Sequence, residues 1–209
     1  MILLSNPRTA VHAKLLLLVD QNNHPIEDVI VSVPRAAIID RKEHLKIPNT
    51  VAIMDQQGKQ FYPRVLTIDK GQSVLFPNSD NIRHHVYSFS APKAFEIELY
   101  SGRNAPPVQF DIPGIVVIGC NIHDQMVGYI YVKDEEITWQ SDASGQISVP
   151  DNVDEVSLWH PLLDETHNKR FAVKLRDTAV NEPQVVDLTL VEAPAVDSGT
   201  VFGKQKFGG

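Results

Sequence analysis

Apolar and polar residues alternate along most of this chain with a period of two, the spacing of a half-buried strand rather than a helix. Leu15, Leu17 and Val19 alternate with less regular partners, and Val29, Val31 and Val33 follow after the turn-rich stretch from Asp20 to Pro25. Leu66 and Ile68 lead into Asp69-Lys70-Gly71, a turn signal, and Val74 and Phe76 lead into Pro77-Asn78. Ile97 and Leu99 alternate with Glu96 and Glu98, and Val108, Phe110 and Ile112 with Gln109 and Asp111. Gly114 opens the run Ile115-Val116-Val117-Ile118, which reads as a strand buried on both faces, and Ile130 and Val132 then alternate with Tyr129 and Tyr131.

A second set begins after Asp134-Glu135-Glu136, a solvated linker by its charge. Ile137 and Trp139 precede Asp142-Ala-Ser-Gly145, a hairpin-type turn; Ile147 and Val149, Val156 and Leu158, Phe171 to Leu175, and Val186 to Leu190 complete it. Short strands with turns between them predict an all-β protein built of sandwiches. The one helix expected is short, from Ala36 to Leu45, and Pro48 ends it. Residues 14–34 and 137–191 read as one discontinuous β-sandwich, and residues 50–134 as a self-contained unit inserted in or docked on it. A single elongated sandwich is the alternative. Residues 192–209, rich in glycine, small and polar residues, read as a mobile tail.

Composition narrows the classes. The chain has 209 residues, is 43% hydrophobic and 22% charged, and carries a net charge of −7. These are values of an ordinary globular protein, and the acidic balance argues against a nucleic-acid partner. No apolar run approaches the ~20 residues that span a bilayer. Residues 1–13 read as the stump of a secretory signal, with small residues around Val11-His12-Ala13, which places the protein in the periplasm. The single cysteine, Cys120, cannot form an intrachain disulfide.

The chemistry gathers around that cysteine. Cys120-Asn-Ile-His123-Asp-Gln-Met126 lies between the buried strand 115–119 and a strand over 127–133. A thiolate, an imidazole and a weak axial thioether form the soft donor set that suits copper in an electron-transfer site. The spacing alone is weak, and a fourth ligand from another strand is needed. The segment from Asn78 to Tyr87 offers His84 and His85. Neighbours on a strand point to opposite faces, so one of the two reaches the metal.

At this point residues 61–133 resemble a cupredoxin, the blue-copper fold of plastocyanin and amicyanin. The resemblance rests on Phe61-Tyr-Pro63, Leu66-x-Ile68, Gly71, Val74-x-Phe76 and Asn78, on Phe76 eight positions before His84, and on Gly114 six before Cys120. Val127-Gly128-Tyr-Ile-Tyr-Val132 is similar to the family's closing strand, and the His-to-Met gap matches amicyanin's short loop. The resemblance implies one mononuclear Cu(I)/Cu(II) ion held by His84, Cys120, His123 and Met126. It departs at His85, where cupredoxins usually carry Asn, and at Gly119, where many carry an aromatic residue; His85 therefore stays open as the ligand. The whole chain is also similar to bacterial methylamine-utilisation protein-like or plastocyanin-like proteins, through Phe76-Pro-Asn-Ser-Asp80, Ile82 to Phe89, and Gly119 to Asp124. Its flanks, Leu18 to Val31 and Ser141 to Pro161, resemble a carboxypeptidase regulatory-like module.

The function expected is one-electron transfer in the periplasm with an unidentified redox partner protein. Ile82, Ile122 and Val127 would form its apolar docking patch. Copper storage, delivery or sensing is the alternative. With eight histidines and no H-x-H pair, the chain shows no second site of the kind copper enzymes use, and no enzymatic activity is expected. His160 reads as a structural hydrogen-bonding residue, and His12, His24, His44 and His167 as solvated. Trp139 and Trp159 read as core of the flanking sandwich.

Overall fold

The computed structural model describes residues 13–38, 50–103, 105–177 and 182–191. The expected tail, the signal stump up to residue 12, His12, His44 and most of the expected helix lie outside the described residues. Where that helix is expected to begin, Arg35–Ala37 forms a single 3-10 turn. Everything else regular among the described residues is strand, so the protein is all-β.

The strands assemble into two sets. One contains a five-stranded sheet in the order Val65–Asp69, Val127–Lys133, Gly114–Gly119, His84–Ser90, Lys93–Tyr100. Its first pair is parallel and the others antiparallel. Facing it are a small sheet of Val108–Gln109, Ser73–Leu75 and Ala52–Ile53, and the hairpin Asp55–Gln57 with Gln60–Tyr62. Met54, Phe61, Val74, Phe76 and Phe110 from this side meet Val86, Val116, Ile118 and Ile130 from the five-stranded sheet in one core. Cys120 and Met126 belong to that same core. The metal-site candidates are thus anchored in packed apolar structure, where a changed methylene is felt.

The other set holds the sheet Gln146–Pro150, Ala13–Asp20, Gln184–Leu188 and the sheet Glu136–Gln140, Ile30–Pro34, Glu155–Trp159, Phe171–Lys174. They enclose a second core that includes Leu16, Leu18, Val31, Val149 and Leu158. The inward phase of the first strand falls on Leu16 and Leu18; Leu15 and Leu17 are half-buried. Trp139 packs against this core.

A third cluster joins the two sets. Ile30 and Trp159 pack against Val65, Ile115, Tyr129 and Tyr131. Trp159 therefore lies between the sets rather than wholly inside the flanking core, at 6.1 Å from the Tyr129 ring and 5.7 Å from that of Tyr131. This cover explains why Ile115–Ile118 reads as buried on both faces. Val116 and Ile118 face the first core, while Ile115 and Val117 pack into the joining cluster.

Candidate metal centre

The loop from Cys120 to Met126 is closed on itself by its backbone. The Cys120 N–H donates to the Met126 carbonyl at 3.2 Å, and the Met126 N–H to the His123 carbonyl at 2.9 Å. The loop is thus drawn tight where the strands Gly114–Gly119 and Val127–Lys133 pair, and that pairing runs out to Gly119 opposite Val127. Cys120 and Met126 are buried, and His123 is half-buried at the rim.

The strand His84–Ser90 brings the next group. His84, Val86 and Ser88 are buried on its inner side, while His85, Tyr87 and Phe89 form an outer row of rings. The His84 Nδ1 lies 3.7 Å from the Cys120 Sγ, and the His123 Nδ1 lies at the same distance from it. The ligand-type atoms of the three residues all fall within 4.8 Å of one another. His85 is directed elsewhere: its Nε2 lies 2.7 Å from Glu96 Oε1, and its ring is 5.5 Å from that of Tyr87. Of the two candidate histidines, His84 is the one brought to the sulfur. Met126 is fully buried in the same core and lines one open cleft of about 370 Å³ with Cys120, Tyr87, Gly119, Asn121, Asp124 and Val127.

Gly119 explains its own departure from the aromatic expected there. A Cβ at this position would sit 2.9 Å from the Tyr87 Cζ. The aromatic ring beside the cysteine strand comes from the neighbouring strand, and a side chain at position 119 would require that ring to shift.

Behind His84 stands Asp80, whose Oδ2 lies 2.7 Å from the His84 Nε2. Nothing in the sequence pattern gives Asp80 a role, although it sits four residues before His84 in an Asn-Ser-Asp-Asn stretch typical of turns. Burial pushes the Asp80 carboxyl up, but hydrogen bonds from the Lys59 N–H, His84 and the Gly58 N–H outweigh it and hold it below its ordinary value. An ionised carboxylate only accepts. The His84 Nε2 therefore carries the proton, and in the neutral ring the Nδ1 lone pair faces the sulfur. His123 is pushed below the ordinary histidine value by burial and by the nearby His84 and Lys59, with Asp80 opposing. It therefore favours the neutral, ligand-competent form.

The donor set fits a metal cation. Two imidazole nitrogens face one buried sulfur, and a thiol has a single proton to offer. A cation between them would engage the lone pairs of all three atoms together. With the bond lengths that zinc takes, about 2.3 Å to sulfur and about 2.0 Å to nitrogen, angles from tetrahedral to trigonal set sulfur and nitrogen about 3.5 to about 3.7 Å apart, and the observed separations of 3.7 Å lie at the trigonal end.

Farther from the cluster, His160 is buried, and its Nδ1 accepts the Leu162 N–H at 3.2 Å, as a structural histidine does. His24 is largely exposed beside Asp20. His167 differs from its solvated reading. Its Nδ1 lies 2.6 Å from the Pro161 carbonyl, and its ring is 5.3 Å from Tyr129. Its own carbonyl accepts the Trp159 indole N–H at 2.8 Å, so the joining cluster captures it.

No protein-family model matches the chain, and no curated protein matches it. Among solved structures it is similar to a copper-containing nitrite reductase from Thermus scotoductus SA-01, at 25% identity and a TM-score of 0.39, over 56% of this chain and 28% of that one. A purple cupredoxin from Nitrosopumilus maritimus aligns at 21% identity and a TM-score of 0.36, over 39% of this chain and 99% of the other. A mutant amicyanin in its reduced Cu(I) form aligns at 16% identity and a TM-score of 0.37, over 51% of this chain and all of the other. The chain thus spans little more than a quarter of the nitrite reductase's length, 28%. Superpositions this loose carry no weight for the centre, which rests on its own distances.

Proposed function

We propose that this chain holds one copper ion in a cupredoxin-type site and passes single electrons through it, without catalysing a reaction of its own. The observation that carries this reading is the approach of two imidazole Nδ1 atoms, from His84 and His123, to 3.7 Å from one buried thiol sulfur. Bound there, copper would supply a one-electron couple between its cupric and cuprous forms. Cys120 offers its sulfur as thiolate, losing its proton on metal binding. His84 and His123 would offer neutral nitrogens, and Met126 a thioether. The packed core behind Cys120 and Met126 would hold these two donors in place.

His123, half-buried at the loop's rim, is the edge through which an electron would leave. Ile122 and Ile82, 48% and 36% exposed, supply the apolar contact for an unidentified redox partner protein. We assign the cupredoxin unit to residues 50–134, set in a discontinuous module of residues 14–34 and 137–191, and place the protein in the periplasm. No helix among the described residues is long and apolar enough to cross a membrane.

One observation favours a second reading. The cleft lined by Cys120 and Met126 opens to solvent, which suits a protein that hands its copper on. Voltammetry of the copper-loaded protein in the presence of a strong Cu(I) chelator separates the two. Reversible one-electron waves that persist over many cycles are expected for electron transfer. Loss of the wave with copper appearing in the chelator would establish delivery instead.

A further inference from the structure

The turn between Asp55–Gln57 and Gln60–Tyr62 supplies none of the proposed ligands, yet its backbone has a direct line to one of them. Gly58 and Lys59 both have φ near +61°. Two left-handed residues in succession are the mark of a two-residue hairpin turn, and here Gln57 pairs with Gln60. That backbone aims two consecutive N–H groups at one carboxylate. The Gly58 N–H donates to Asp80 Oδ1 at 2.7 Å, and the Lys59 N–H to Oδ2 at 2.9 Å. Asp80 is also fixed from its own loop, where its N–H donates to the Asn78 Oδ1 at 3.0 Å. Asn78 is held in turn by the Ile82 and Tyr100 carbonyls, each 2.9 Å from its Nδ2.

We propose that Asp80, clamped by the Gly58-Lys59 turn, is a positioning residue that fixes the Nε2-protonated tautomer of His84 and lowers the reduction potential of the bound metal. This rests on the copper reading above for its second half; the tautomer half stands on the metal-free protein. A carboxylate behind a ligating imidazole orients the ring and raises its basicity. Its negative charge sits one imidazole away from the metal position, so it stabilises the more highly charged oxidised ion over the reduced one. The clamp makes this charge a fixed part of the fold, since both carboxylate oxygens are engaged before His84 is counted. The His84 side chain is fully buried, so no water competes for its Nε2.

The test has two arms. In the first, nitrogen-15 NMR of the metal-free protein near neutral pH reads the His84 tautomer. The native chain and D80N, which keeps a carbonyl acceptor, are expected to show the proton on Nε2. D80A is expected to populate the Nδ1-protonated form. A His84 tautomer unchanged in D80A overturns the positioning claim, whatever the protein does with copper. In the second arm, copper-loaded D80N and native protein are compared by voltammetry. D80N is expected to show a higher potential, by 59 mV for each tenfold loss of preference for the oxidised over the reduced ion. D80A is expected to bind copper about 10–100-fold more weakly. An unchanged D80N potential overturns the charge half. If the native chain binds no copper, the copper reading and this half fall together, and the tautomer arm still decides the first half. Should D80A fail to fold because the turn loses its acceptor, D80S decides instead. Its shorter side chain keeps one oxygen as an acceptor for the turn but draws it back from the His84 ring, 2.7 Å from the native carboxylate. It is expected to let the Nδ1-protonated form appear, and a native-like tautomer in a folded D80S overturns the positioning claim.

Discussion

Replacing His160 with asparagine should remove a distinct part of the acid sensitivity of the metal-free protein, the part that falls between neutral pH and about 4. His160 is 6% exposed, and its Nδ1 accepts the Leu162 N–H, a bond that only the unprotonated nitrogen can accept. Burial first, and the Arg64 charge second, push its pKa from 6.5 down to about 4. In the unfolded chain the ring titrates near its ordinary value. Between those two values the unfolded state therefore binds the extra proton, and stability falls as pH falls. The gap from 6.5 to about 4, at about 1.36 kcal/mol per pH unit, is worth about 3 kcal/mol. That is a large part of the roughly 5–15 kcal/mol a domain has in total. The side-chain amide oxygen introduced by H160N can accept the same N–H and does not titrate. Urea unfolding of both proteins with chelator present, at steps from pH 7 to pH 4, gives the two stability curves. The native curve should drop below that of H160N by about 3 kcal/mol across this range, after the two are matched at pH 7. Parallel curves would show that His160 is free to protonate in the fold, and the reasoning from burial would be wrong.

The two adjacent histidines should separate cleanly. H84A removes an imidazole 3.7 Å from the sulfur, and copper titration should show weaker binding and loss of the native spectrum. H85A removes a ring whose partners are Glu96 and Tyr87, and the copper spectrum should be kept. A copper site lost in H85A and kept in H84A would reverse the ligand assignment.

Much of the centre was legible in the chain because it is local. Cys120, His123 and Met126 share one loop, and the strands on either side announce themselves as Ile115–Ile118 and as Ile130 with Val132. The observed strands Gly114–Gly119 and Val127–Lys133 bracket that loop as expected. The choice between His84 and His85 was open because alternation gives two phases, and only packing against Cys120 selects one. Asp80 was invisible for a different reason. Its role depends on a hairpin about twenty residues upstream folding back to it, and no spacing rule encodes that. Tyr129 and Tyr131 alternate with Ile130 and Val132, and alternation alone does not say what covers their face; both are buried under Trp159 and Ile30. Tyr131 reconciles this by donating its hydroxyl to Glu136 at 2.8 Å. Burial pushes its phenol far up, so it stays a neutral donor. In the first strand, four leucines in succession erase the alternation, and only the sheet partner reveals that Leu16 and Leu18 face inward.

The central claim is that Cys120 binds copper as a thiolate together with two imidazoles. Titrating copper into the metal-free protein, with visible absorption and paramagnetic resonance recorded alongside, tests it most directly when C120S is run in parallel. The account predicts one copper per chain, with an intense thiolate-to-copper band that C120S lacks. Absence of copper binding, or binding without that band in the native protein, would contradict it.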